Sequence, residues 1–153
     1  MTAARAPRCS SRRDDAVTRL PHEVFVVVRR GDRYLVVHRA PRGGAYWHGI
    51  AGGLEPGESS AEAAARELHE ETGLAAQPVE IAEPFVYSIA EEPAYRELFP
   101  DVDGITVTCF LVDAPDGWEP RLNDEHDDYR WCSRDEAVEL LYWPEPKALL
   151  RSL

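Results

Sequence analysis

An α/β fold is what this sequence predicts, and three stretches carry that expectation. Val24-Phe25-Val26-Val27-Val28 is an apolar, largely β-branched run of strand length. Ser59 to Gly73 reads as a capped helix: Ser59 and Glu62 have capping-box spacing, and Gly73 is a natural stop. Gly104 to Val112 is a second strongly apolar strand.

At 153 residues the chain is long enough for one domain with a sizeable core. A 44% hydrophobic content suits a globule, and no apolar run approaches the roughly 18–20 residues of a membrane span. The net charge of −11 argues against a nucleic-acid duplex as partner. It also disfavours a phosphorylated ligand unless a cation mediates. The 3 cysteines, Cys9, Cys109 and Cys132, are odd in number and widely spaced, which points to reduced thiols and a cytoplasmic setting.

Residues 1 to 20 are expected to be a disordered Arg-rich tail, with residues 21 to 153 forming the domain. The tail sets Arg5, Arg8, Arg12, Arg13 and Arg19 against Asp14 and Asp15, and has no apolar segment of a signal peptide. After Val28, Arg30-Gly31-Asp32 signals a hairpin and Tyr34 to Val37 the returning strand. Arg39 to Gly44 is a polar loop, and Tyr46 to Ile50 leads into a glycine turn. Beyond Gly73, Val79 to Ile89 is expected to be a strand marked by Pro84. Ala90 to Asp103 reads as a long loop and Tyr129 to Trp131 as a short strand. Ser133 with Glu136 opens a further helix through about Leu141, and Pro144 and Pro146 precede a last one, Lys147 to Leu153.

The chemistry concentrates in the helix of Ser59 to Gly73. Ala61, Ala64, Ala65, Leu68 and Thr72 form a stripe expected to face the core. Glu67, Glu70 and Glu71 project beside it, three like charges spaced to repel by about 0.2–0.5 kcal/mol per pair. A solvated face usually mixes signs. Carboxylates against a buried stripe, beside a glycine turn that admits a backbone carbonyl, suit a hard divalent cation such as Mg²⁺ or Mn²⁺. Mg²⁺ is usually completed by the phosphates of a substrate.

Gly52, Glu58, Arg66-Glu67-Leu68, Glu70-Glu71 and Gly73-Leu74 occupy nine defined positions over 23 residues, and at every one this stretch resembles the Nudix box. The resemblance implies an α/β/α sandwich with a mixed central sheet, and divalent-metal-dependent hydrolysis of a diphosphate linkage in a nucleotide-like small molecule. It assigns the metal to Glu67, Glu70 and Glu71, helped by the Gly52 carbonyl, with Glu58 in support. Arg66 is expected to fix a glutamate by a forked hydrogen bond. A further ligand or base is expected at Glu125, in Glu125-His126 before Tyr129-Arg130-Trp131. That segment is similar to the dihydroneopterin triphosphate diphosphatases and the asymmetric diadenosine tetraphosphate hydrolases. Glu67 or Glu125 would take the proton from the attacking water, with Glu70 and Arg66 completing the catalytic set.

Ala51 departs from the family pattern, where many members carry proline. Arg39, Trp47, Tyr87 and Tyr95 are the candidate substrate contacts, the aromatics as stacking platforms. A nucleoside or pterin triphosphate is the expected substrate. A dinucleoside polyphosphate, or a nucleotide-sensing module without catalysis, stands as the alternative. A homodimer is left open.

Overall fold

The computed structural model describes residues 19–153, so all but the last two residues of the expected tail lie outside the description. Leu20 already belongs to the domain, where its amide donates to the Leu54 carbonyl at 3.2 Å. The strands are β1 (His22–Arg30), β2 (Arg33–Arg39), β3 (Trp47–His48), β4 (Ile50–Gly53), β5 (Val79–Glu80), β6 (Phe85–Ser88), β7 (Gly104–Asp113) and β8 (His126–Cys132). The helices are α1 (Ser60–Thr72), α2 (Pro93–Leu98), α3 (Arg134–Leu140) and α4 (Pro144–Ser152).

The strands join in one mixed sheet. β1 runs parallel to β7 from His22↔Thr106 to Arg29↔Asp113, and every other pairing is antiparallel. β1 meets β2 only at its far end, Arg29↔Tyr34 and Arg30↔Arg33, and meets β4 over Glu23↔Gly53 to Val26↔Ile50. β2 therefore diverges from β1 and carries β3 and β8 away from β4, which opens a gap at that end of the sheet.

Alternation along the strands feeds two cores, one on each face. Val24, Val26 and Val28 pack with Phe110, Val112 and the Ala63, Ala64 and Leu68 of α1. Phe25 and Val27 pack on the opposite face with Ile105, Val107 and Cys109, under Ala137 and Val138 of α3 and Leu149 and Leu150 of α4. Helices on both faces of a mixed sheet make the α/β/α sandwich. Among the described residues no helix is long and apolar enough to cross a membrane.

Both capping boxes form: Ser59 Oγ accepts from the Glu62 amide at 3.1 Å, and Ser133 Oγ from the Glu136 amide at 3.2 Å. Ser59→Ala should cost about 1 kcal/mol, a melting-point drop of roughly 2–4 °C for a chain of this size, readable by thermal denaturation followed by circular dichroism.

Four expectations are corrected. The buried face of α1 is Ala63, Ala64, Glu67, Leu68, Glu71 and Thr72, with Ala61 exposed, so two of the acids lie inside the stripe rather than beside it. Residues 79 to 89 form two short strands, because Ala82 adopts φ 60° just before Pro84 and breaks the run. The expected loop of 90 to 103 contains α2, which starts at Pro93, where a fixed φ favours a first turn. The final helix begins at Pro144 rather than Lys147 for the same reason.

Candidate active site

The glycine turn and α1 meet through a close approach. β4 ends at Gly52 and Gly53, and a Cβ on Gly52 would lie 2.1 Å from the Glu67 carboxyl carbon. Only glycine leaves room for that carboxylate to lie against the strand. Glu67 is 3% exposed at its side chain and is held there by Arg66.

Arg66 is the hub. Its Nε donates to Glu58 Oε2 at 2.6 Å and its Nη2 to Glu58 Oε1 at 2.8 Å, a fork on one carboxylate. Nη1 donates to Glu67 Oε1 at 2.7 Å and, more loosely, to Glu70 Oε2 at 3.4 Å, while Nη2 also reaches the Gly53 carbonyl at 2.9 Å. The hydrogen bonds to Glu58 are the largest influence holding the guanidinium charged. Glu58 in turn accepts from the Glu55 amide at 3.0 Å, tying the turn to the helix. A point charge cannot reproduce this fork. Arg66→Lys should lower activity about 10–100-fold while leaving the circular dichroism spectrum unchanged.

Glu71 is the unusual group. It is 1% exposed and sits on the inner side of α1. Oε2 accepts from the Ala51 amide at 3.2 Å, and Oε1 accepts no hydrogen bond among the described residues. Burial drives its carboxyl well above the usual carboxylate range, and the charges of Glu67 and Glu125 push it further.

Facing Glu71 across the gap is the start of β8. Glu125 is half-buried, and its carbonyl accepts from the Ala40 amide at 2.9 Å, which docks the loop on the end of β2. Next to it His126 is buried, and neither ring nitrogen has a hydrogen-bond partner among the described residues. Desolvation, aided by the nearby Arg39 charge, lowers its pKa to about 4, so the imidazole is neutral near pH 7. One ligand atom each from Glu71, Glu125 and His126 fall within 4.8 Å of one another. Carboxylate oxygens and a neutral imidazole are a donor set for a divalent ion, and unpartnered buried acceptors are what such an ion would satisfy.

The remaining candidates take varied positions. Glu70 stands on the outer flank of α1, 35% exposed at its side chain, and meets the rest through Arg66. Arg39 is buried at the end of β2, pairs in register with His126 and adds positive charge beside Glu71. Trp47 is half-buried on β3, with the Arg130 guanidinium 4.8 Å above its ring and the His38 ring at 5.0 Å. Tyr87 and Tyr95 are buried, and both hydroxyls donate to Glu23 Oε1, so they offer polar edges rather than open faces.

Two residues near the site are not among the site residues expected from the sequence, His126 because it reads there as a lone surface histidine able at most to donate to phosphate. His126 looks like one more polar residue in an acidic loop, and only its burial singles it out. Glu23 could have been found: it alternates with Phe25 and Val27 and so falls on a buried strand face.

Comparison with known proteins bears on the whole domain. The chain is 38% identical over 120 residues to a Myxococcus xanthus protein named octanoyltransferase, a match covering 77% of this chain and 32% of that protein. The chain thus spans about a third of that relative. It is 35% identical over 118 residues to the asymmetrical bis(5'-nucleosyl)-tetraphosphatase of Sus scrofa, covering 74% of this chain and 73% of that protein. In structure it is similar to the E. coli dihydroneopterin triphosphate pyrophosphohydrolase, with a TM-score of 0.77 and 22% identity over 90% of this chain and 97% of the other. That likeness concerns the fold. A family model described as NUDIX domain matches residues 19–153, all of the described chain, and the protein belongs to that family.

Proposed function

We propose that this protein hydrolyses a diphosphate linkage in a nucleoside or pterin triphosphate-like substrate, with a divalent cation held by Glu67, Glu71 and Glu125. Glu71 carries the reading: a carboxylate removed from water, beside two others, with one oxygen accepting nothing among the described residues. Such a group is costly to charge alone and is suited to a cation. Mg²⁺ or Mn²⁺ held there would neutralise phosphate charge and lower the pKa of water. His126 adds an imidazole nitrogen, a softer donor than the oxygen ligands that Mg²⁺ takes. The Gly52 carbonyl stays in the proposed ligand set, as does Glu58 in support, and Glu70 would join by turning inward from its flank.

The chain's own residues supply the rest. Arg66 fixes Glu58 and Glu67, so that the Glu67 carboxylate needs no reorganisation during reaction. Glu67 or Glu125 accepts the proton lost by water. Arg39, buried at the end of β2, sets a permanent positive charge beside Glu71. Trp47, with a face already stacked by Arg130, remains a contact for substrate at the gap. The net charge of −11 repels a polyphosphate ligand, which favours cation mediation. The buried Cys109 and Cys132 are free thiols, in keeping with the expected cytoplasmic setting.

A second reading, cleavage of a dinucleoside polyphosphate, is favoured by the name of the Sus scrofa relative. A panel of nucleoside triphosphates, dihydroneopterin triphosphate and diadenosine tetraphosphate, assayed with Mg²⁺ and Mn²⁺ and read by mass spectrometry, separates the two. Pyrophosphate plus a monophosphate supports the first. AMP plus ATP from the tetraphosphate supports the second. Tight nucleotide binding with no product across the panel refutes both and leaves a sensor.

A further inference from the structure

The start of β8 is out of step with β2. Asp128 pairs with His38, and the next pair is His126 with Arg39, so Asp127 is an extra residue in the strand. A bulge of this kind re-aims the side chain beside it. Val37 and Tyr129 pair across the two strands and pack on the α1 side of the sheet. Arg39 lies two residues beyond Val37 and so shares that side. Strict alternation would send His126 to the far side, with His38 and Asp128. The bulge pairs it with Arg39 instead and brings it to the side where Glu71 projects from α1.

Packing alone does not account for the imidazole there. His126 is 4% exposed, and neither ring nitrogen has a hydrogen-bond partner among the described residues. A buried polar side chain normally spends at least one of its atoms on a hydrogen bond. Two carboxylates stand close by: one ligand atom each from Glu71, Glu125 and His126 fall within 4.8 Å of one another. Donors held on one ion at about 2.1 Å stand about 3–4 Å apart, so shifts of about 1 Å or less close the set. An ion takes up the lone pair of one ring nitrogen and leaves the other to carry the proton.

We propose that His126 ligates the cation directly through a ring nitrogen and makes the Glu71, Glu125 and His126 site select a borderline transition ion, of the Co²⁺ or Zn²⁺ kind, over Mg²⁺. Mg²⁺ takes oxygen ligands and keeps several of its waters. Imidazole suits the later first-row ions, whereas carboxylate and water suit Mg²⁺. The carboxylates supply the charge that any divalent ion needs, and His126 supplies the discrimination. The inference rests on the proposed hydrolase reading only for an ion lying between Glu71 and Glu125.

Two measurements on the untagged protein test this without turnover. Pulsed electron paramagnetic resonance of the Mn²⁺-loaded wild type should show a directly bound nitrogen, and its modulation should change when the protein is grown with ¹⁵N-labelled histidine. Calorimetry with Co²⁺ and Mg²⁺ alone should show that H126Q lowers the ratio of Co²⁺ to Mg²⁺ affinity by about tenfold or more, since even a residue that only supports a ligand costs 10–100-fold in metal affinity. The nitrogen signal should be missing from H126Q. If H126Q fails to fold, the labelled wild-type spectrum still decides. Bound Mn²⁺ with oxygen ligands only, or an unchanged affinity ratio in folded H126Q, overturns the proposal. Turnover with an oxygen-only spectrum sinks the role of His126 and leaves the hydrolase reading standing. A histidine signal with no product across the substrate panel does the reverse.

Discussion

Glu71→Gln is expected to abolish turnover while making the metal-free protein more stable. The wild-type carboxylate is 1% exposed, accepts one backbone hydrogen bond and faces the charges of Glu67 and Glu125. An amide of the same shape removes the buried like charge and adds donors that neighbouring carboxylates can accept. Without metal, the variant should therefore melt at a higher temperature than the wild type once the pH is high enough to ionise Glu71, and the gap should widen as pH rises. With metal the order should change. A ligand at a hundred times its dissociation constant stabilises a protein by about 2.7 kcal/mol, so Mg²⁺ or Mn²⁺ should raise the wild-type melting point and leave the variant's little changed. Activity should fall by more than about a hundredfold, since even a residue that only supports a metal ligand typically costs 10–100-fold. Calorimetric melts with and without metal, beside a turnover assay, check all three. A variant that stays active, or that metal still stabilises fully, contradicts the role given to Glu71.

Gly52→Ala should be as damaging for a different reason. The new Cβ would lie 2.1 Å from Glu67 Cδ and 2.2 Å from Oε1. The carboxylate cannot step aside freely, because Arg66 Nη1 grips Oε1 at 2.7 Å and the side chain is nearly sealed from solvent. Overpacking of this kind costs about 1–3 kcal/mol, and displacing a catalytic group by about 1 Å can cost a hundredfold in rate. Adding Glu67→Asp to Gly52→Ala shortens the acid and should recover much of the stability but little of the activity. Wild-type turnover in the single variant would show that the close approach has no part in catalysis.

How much of this was legible beforehand differs from element to element. The hairpin, α1 with both its caps, and β7 were readable because local chemistry decides them: a β-branched run, a serine with a glutamate three residues on, a glycine stop. The acids of α1 were readable as a group but not by orientation. A rule that keeps carboxylates out of the core put Glu67 and Glu71 beside the stripe, whereas Arg66, the Gly52 approach and the Ala51 amide let them lie within it. Tyr87 and Tyr95 were readable only as aromatics. Their hydroxyls matter because β6 and α2 bring them to Glu23, residues 64 and 72 positions away, and no local pattern encodes that meeting. The same holds for His126, whose burial depends on the divergence of β2 and β8 from β4.

The account turns on a doubly charged ion sitting among carboxylates from α1 and the start of β8. Anomalous diffraction from crystals soaked in Mn²⁺ reads this directly. A single strong peak should appear within about 2.0–2.6 Å of oxygens from both Glu71 and Glu125, a distance range typical of hard-cation ligands. Peaks confined to the outer surface, with the Glu71 and Glu125 side chains as far apart as before, would contradict it.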